Sequence, residues 1–183
     1  KEAQKIFFER EENFERFSKA ALKIRNNECD INEFNDFKVS LEKNMPNRTL
    51  YGLQFLSAYH LAFSQNACNF SVPGAGKTSI VYGAYAYLKN LDESNTKKIS
   101  KILVIGPLNS FGPWEDEYES CFGKKANTTR VVGMSKDERK DYFNGYMHSE
   151  LTLLSYATAA SSIDDIIAFL RNEKVMVILD EAH

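Results

Sequence analysis

The sequence predicts an α/β fold: a largely parallel sheet flanked by helices, preceded by an N-terminal helical extension. Three observations predict it. From residue 67 onward, short apolar runs alternate with helix-patterned stretches. The first of these runs leads into Ser71-Val-Pro-Gly-Ala-Gly-Lys-Thr78, and a good helix pattern leaves that segment. The last run, Val175–Leu179, is followed at once by Asp180-Glu181-Ala182-His183. Such alternation favours parallel strands, because a right-handed crossover through a helix is how parallel neighbours connect.

Residues 1–45 carry a helical pattern. Phe7, Phe14, Phe17, Ala21 and Ile24 fall on one face of a helical repeat. Asp30 followed by Glu33 has the form of a capping box. It predicts a second helix with Phe34, Phe37 and Leu41 inward, ended by Met45-Pro46-Asn47. The aromatic stripe is read as core packing rather than as a partner surface. Leu50–Ser64 is the third helix, with Leu53, Leu56, Leu61 and Phe63 as its apolar positions.

Strands are expected at Ala67–Val72, Lys101–Gly106, Thr129–Val132, Leu151–Ser155 and Val175–Leu179. Helices fall between them at Lys77–Leu91, Ser110–Phe122, Ser135–Met147 and Ser161–Arg171, with a capping box at Ser135 and Glu138. Residues 92–100 form a polar surface loop.

The segment ending in Gly-Lys-Thr has the chemistry of a phosphate loop. A tight turn over Pro73, Gly74, Ala75 and Gly76 aims backbone N–H groups at an anion, and the glycines leave room for close approach. Lys77 would reach the β- and γ-phosphates of ATP, and the Thr78 hydroxyl would bind Mg²⁺. Ser79 continues the helix whose positive end faces the anion. The usual pattern opens with Gly, where this chain has Ser71. The acidic pair lies about 100 residues on. Carboxylates after a strand also suit a helix N-terminus. Downstream of a phosphate loop in a βα chain, they have the form of a Walker B box. Asp180 would hold Mg²⁺ through water, and Glu181 would act as general base on the attacking water.

Bulk numbers narrow the remaining classes. The chain has 183 residues, enough for one domain plus accessory elements, and its 43% hydrophobic fraction is ordinary for a globular protein. No apolar run is long enough to span a membrane, and the N-terminus has no signal-peptide pattern. Cys29, Cys68 and Cys121 fit neither a disulfide framework nor a zinc pattern, so a reducing cytoplasm is the expected location, a bacterial-type cytosol first and the nucleus if the protein is eukaryotic. The three histidines share no ligand spacing, and a net charge of −2 announces no broad basic surface.

Taken in order, these stretches resemble the first RecA-like lobe of a superfamily 2 helicase or translocase, and most resemble the Swi/Snf-type DNA-dependent ATPases. Arg48-Thr-Leu-Tyr-Gly-Leu-Gln54 is similar to the adenine-reading segment, with Gln54 as hydrogen-bonding and Tyr51 as stacking candidate. The family usually has Tyr directly before the Gln, where this chain has Leu53. The phosphate loop comes next. Ile102-Leu-Val-Ile-Gly-Pro-Leu-Asn-Ser-Phe-Gly-Pro-Trp-Glu-Asp-Glu117 resembles motif Ia, whose loop touches the DNA backbone. Pro107, Asn109 and Ser110 carry over from it, and Trp114 is read as core filling. Arg130–Arg139 resembles the family's strand, Gly and Arg-bearing helix. Leu153–Thr158 resembles motif Ib, with Ser155 and Tyr156 against the tracked strand. The Asp-Glu-Ala-His box closes the series.

The resemblance implies a helical extension over 1–47 and a RecA-like ATP-binding lobe over 48–183, truncated after the Walker B box. It implies ATP and Mg²⁺ as ligands, double-stranded DNA as partner, and a second RecA-like lobe with arginine fingers in a longer parent chain. The implied activity is ATP hydrolysis coupled to translocation on, or remodelling of, nucleic acid, with the isolated fragment inactive. Alternatives are the motor of a restriction or phage-defence complex, an RNA helicase of the DEAH type, or a non-hydrolysing nucleotide-binding scaffold.

Overall fold

The computed structural model describes residues 12, 15, 18, 19, 22–24, 26, 28–64, 67–69 and 74–181. The chain divides into two compact units, Lys1–Asn90 and Leu91–His183.

In the first unit the described positions at 12, 15, 18, 19 and 22–24 are helical. Phe7, Phe14, Phe17 and Ala21 of the expected first helix lie outside the described residues. Helix α1 is Ile31–Asn44. It starts where expected because the Asp30 carboxylate accepts from the N–H groups of Asn32 and Glu33, at 2.8 and 3.3 Å. Met45 ends it, its N–H donating to the Leu41 carbonyl. Helix α2 is Gly52–Phe63 and α3 is Lys77–Lys89. Both α1 and α2 pack on α3.

The core of this unit is aromatic. The Phe37 ring lies within 5.1–5.5 Å of Phe55, Tyr59 and Tyr87, mostly edge-on. The phenol of Tyr59 is pushed up to about 12, first by burial and then by the Glu33 carboxylate. The buried stripe of α2 runs through Ala58, Tyr59, Ala62 and Phe63, whereas Leu53 and Leu56 are exposed. The larger apolar side chains near the start of α2 are thus not the ones that face α3.

The second unit holds a four-stranded parallel sheet. Its strands are β1 (Lys101–Ile105), β2 (Thr128–Arg130), β3 (Leu151–Leu154) and β4 (Val175–Leu179), in the order β2-β3-β1-β4. Ile105 sits opposite Leu154 on one side and Leu179 on the other. The central strands are buried on both faces, Ile102–Ile105 in β1 and Leu151–Leu154 in β3, and are apolar there apart from Thr152. On one face Leu103, Ile105 and Leu154 form a cluster with Phe143, Ile166 and Phe169. These come from helices α5 (Lys136–Asn144) and α7 (Ile163–Asn172). Helix α4 (Phe111–Phe122) buries Phe111, Trp114, Tyr118 and Cys121.

Several expectations need correction. Of the strand expected at Ala67–Val72, the described residues 67–69 carry no strand. Residues 70–73, which include Pro73, lie outside the described residues. The helix expected at Ser110–Phe122 is preceded by a separate 3-10 turn over Leu108–Ser110. The helix expected at Ser161–Arg171 is α7, starting at Ile163, and an unexpected short helix, α6 (Tyr156–Ser161), precedes it, the two separated at Ser162. Ser162 is buried, and its hydroxyl accepts from the Arg139 guanidinium at 2.9 Å, a long-range contact that local pattern does not reveal. The Ser135–Glu138 capping box is present, but its helix stops at Asn144 rather than Met147. Among the described residues no helix is long and apolar enough to cross a membrane.

Candidate functional site

The expected site residues fall in both units, and each group is built by its own local structure. In the first unit Gly74 and Gly76 take positive φ values of 81° and 77°. Gly76 is the N-cap of α3, so the left-handed turn ends as the helix begins at Lys77. Only glycine suits this position. Besides the positive φ, an added Cβ would lie 2.6 Å from the Gln54 side-chain nitrogen. Lys77 is exposed, Thr78 is half-buried and Ser79 is buried, with its hydroxyl 3.4 Å from the Arg48 guanidinium.

Gln54 is joined to this turn directly. Its amide nitrogen donates to the Ala75 carbonyl at 2.8 Å, and its Oε1 accepts from the Tyr51 N–H at 3.1 Å. A glutamine amide has two donors and two lone pairs. Among the described residues one of each is therefore used, and one of each is left over. Tyr51 and Leu53 are largely exposed beside it. The sequence pattern picked out Gln54, but its bond to the turn joins residues 21 positions apart, and no spacing rule supplies that.

In the second unit, the carboxyl ends of the strands converge on Asp180. Its N–H donates to the Ile105 carbonyl at 2.8 Å, extending the β1–β4 ladder by one residue. Its carbonyl accepts from the Tyr156 hydroxyl at 2.8 Å. Its carboxylate Oδ2 accepts from the Trp114 indole N–H at 3.0 Å. Gly106, just past β1, permits this convergence: an added Cβ would sit 3.0 Å from the Cβ of Asp180 and 3.3 Å from the Ser110 hydroxyl. Glu181 is exposed and holds a φ of 51°, unusual for a residue with a side chain. The Tyr156 phenol is pushed upward, first by burial and then by the charges of Asp180 and Glu181.

The loops beside Asp180 carry the other candidates. The Ser110 hydroxyl donates to the Pro107 carbonyl at 2.9 Å, closing the 3-10 turn on which Asn109 is exposed. Ser155 caps α6, its hydroxyl accepting from the Thr158 N–H at 3.1 Å. Trp114 is core filling, as the sequence suggested, and is also the partner of Asp180. That second role was signalled only generically: a buried indole N–H seeks an acceptor. Arg139, from the Arg-bearing helix, is spent on Ser162 and the Met134 carbonyl.

Among the described residues, no cluster of three or more His, Cys, Asp or Glu could hold a metal. The donor set still suits Mg²⁺, which keeps several waters and takes one or two carboxylates plus substrate phosphates instead of an all-protein cage. Asp180, a carboxylate with one oxygen anchored and the other not bound to Trp114, fits that demand.

Residues 53–183 match the family model described as "Type III restriction enzyme, res subunit". The match covers most of the chain and takes in the glycine turn, the four strands and the acidic box. No curated protein matches the chain.

Proposed function

This chain belongs to the family of Type III restriction enzyme res subunits, with the RecA-like α/β lobe of a superfamily 2 helicase-type ATPase, and from that premise we propose that it is the ATP-binding lobe of a DNA-dependent motor in a restriction or phage-defence complex. The observation that carries the reading is the turn at Gly74–Gly76, which opens a 13-residue helix at Lys77. Amides of this turn and of Lys77, Thr78 and Ser79 bind the phosphates. The free donor and lone pair of Gln54 read the adenine edge, and the exposed Tyr51 ring stacks on it. Thr78 and Asp180 are the residues that would hold Mg²⁺, which would supply charge neutralisation on the phosphate oxygens. Lys77 stabilises the transferred phosphoryl group. Glu181 takes the proton of the attacking water.

The loops at Pro107–Ser110 and Ser155–Tyr156 meet the DNA backbone. Small polar groups and the N-terminus of α4 suit phosphate contacts without a broad basic patch. A second RecA-like lobe supplies the arginine fingers. The Trp-x-x-Glu segment at 114–117 favours Swi/Snf-like duplex tracking over DEAH-type RNA unwinding.

The test is ATP turnover of the full-length protein with double-stranded DNA, single-stranded DNA, RNA or no polymer. Duplex DNA should stimulate most, and Lys77→Ala should abolish stimulated turnover. Near wild-type turnover in Lys77→Ala would remove this loop from the reaction. Stimulation by RNA alone would replace the DNA assignment.

A further inference from the structure

Asp180 is held at three separate atoms, and the three contacts do not serve the same end. Its N–H continues the sheet, and its carbonyl is taken by Tyr156. Both contacts place the backbone. Only the bond from Trp114 acts on the carboxylate, the group that would face a cation. Trp114 lies one turn into α4 and is 3% exposed, so its indole cannot swing away without opening the core. An indole N–H donates and never accepts, so it cannot ligate a cation and cannot trade places with a carboxylate oxygen. A carboxylate has about four acceptor positions, and this donor occupies one of them on Oδ2. The rotation of the group is thereby restricted, and Oδ1 is left to the cation's water shell.

Resting on the Mg²⁺–ATP reading above, we propose that Trp114 is a positioning residue for Asp180. Its indole N–H sets the carboxylate orientation in which the metal ion is held. The motif Ia helix then contributes to the nucleotide site as well as to the nucleic-acid loop that precedes it. Ligand-orienting partners of this kind typically change metal affinity by ~10–100-fold when removed.

The experiment uses the full-length protein and two replacements at position 114. Trp114→Phe removes the N–H but shrinks the ring. Site-specific incorporation of benzothienylalanine puts sulfur in place of the N–H and keeps the bicyclic shape. Each protein is titrated with Mn²⁺ in the presence of ATP, followed by electron paramagnetic resonance, and with Mg²⁺ followed by turnover. Both replacements should weaken Mn²⁺ binding and raise the half-saturating Mg²⁺ by roughly ten-fold. The KM for ATP at saturating Mg²⁺ should stay near wild type, and so should the melting temperature of the benzothienyl protein. In an Asp180→Asn background, adding Trp114→Phe should weaken Mn²⁺ binding no further.

Wild-type Mn²⁺ affinity in the benzothienyl protein would overturn the proposal, even if Trp114→Phe were impaired, because the indole would then act by packing alone. Failure of the underlying reading looks different: Asp180→Asn itself would leave Mn²⁺·ATP binding unchanged.

Discussion

Asp180 and Glu181 are neighbours with opposite environments. Asp180 is held through its N–H, its carbonyl and its carboxylate, while Glu181 is exposed and leaves the strand through a left-handed backbone conformation. That conformation costs a residue with a side chain about 1 kcal/mol or more, so the surrounding turn must enforce it. The division suits the proposed roles: a fixed carboxylate for a metal ion, and an accessible one for a proton. Glu181→Gln keeps the shape and removes the base. It should preserve ATP binding and lower turnover by ~10²–10⁴-fold, read by single-turnover hydrolysis beside a nucleotide-binding titration. Loss of binding together with turnover would make Glu181 structural or a direct metal ligand.

At the scale of elements, the opposite end of the sheet has its own fastening. The Glu173 carboxylate, just before β4, accepts from the Lys101 ammonium at 2.7 Å and pairs with His148 Nδ1 at 2.9 Å. It thus ties the start of β1 to the entries of β3 and β4. The bond from Lys101 holds this carboxyl below its usual range, with burial opposing and His148 assisting. A native value below the unfolded one means stability that is present above the ordinary glutamate range and lost as pH falls through the native value. Glu173→Gln should therefore destabilise the fold by about 1–2 kcal/mol at neutral pH. The difference from wild type should shrink to nothing in strong acid. Urea unfolding across that range checks it, and a difference that persists at low pH would assign the loss to packing.

At the scale of the whole molecule, the proposed motor needs more than the chemistry of one lobe. An arginine finger from a partner lobe is worth ~10³–10⁵ in rate in related phosphoryl transfers. The 183-residue chain by itself should hydrolyse ATP far more slowly than the full-length protein, with or without DNA. Purifying both and comparing DNA-stimulated turnover decides it. Equal rates would refute the division of labour between lobes, whatever the fate of the individual site residues.

By itself the sequence determined the α/β class, the four strands at 101–105, 128–130, 151–154 and 175–179 to within about two residues, and the Asp30 and Ser135 caps. These are local: apolar runs, helical periodicity and a side chain reaching its own backbone are written within a few positions. The Gly76 turn was legible for the same reason, since positive φ next to a helix start selects glycine. Tertiary structure alone decided the break at Ser162, the exposure of Leu53 and Leu56, and the bond from Gln54 to Ala75. It also decided that Trp114, read from the sequence only as filler, donates to Asp180 across 66 positions. Each of these depends on which surfaces meet. Burial and hydrogen-bond partnership are properties of pairs of distant residues, and a one-dimensional pattern carries the types of those residues without their pairing.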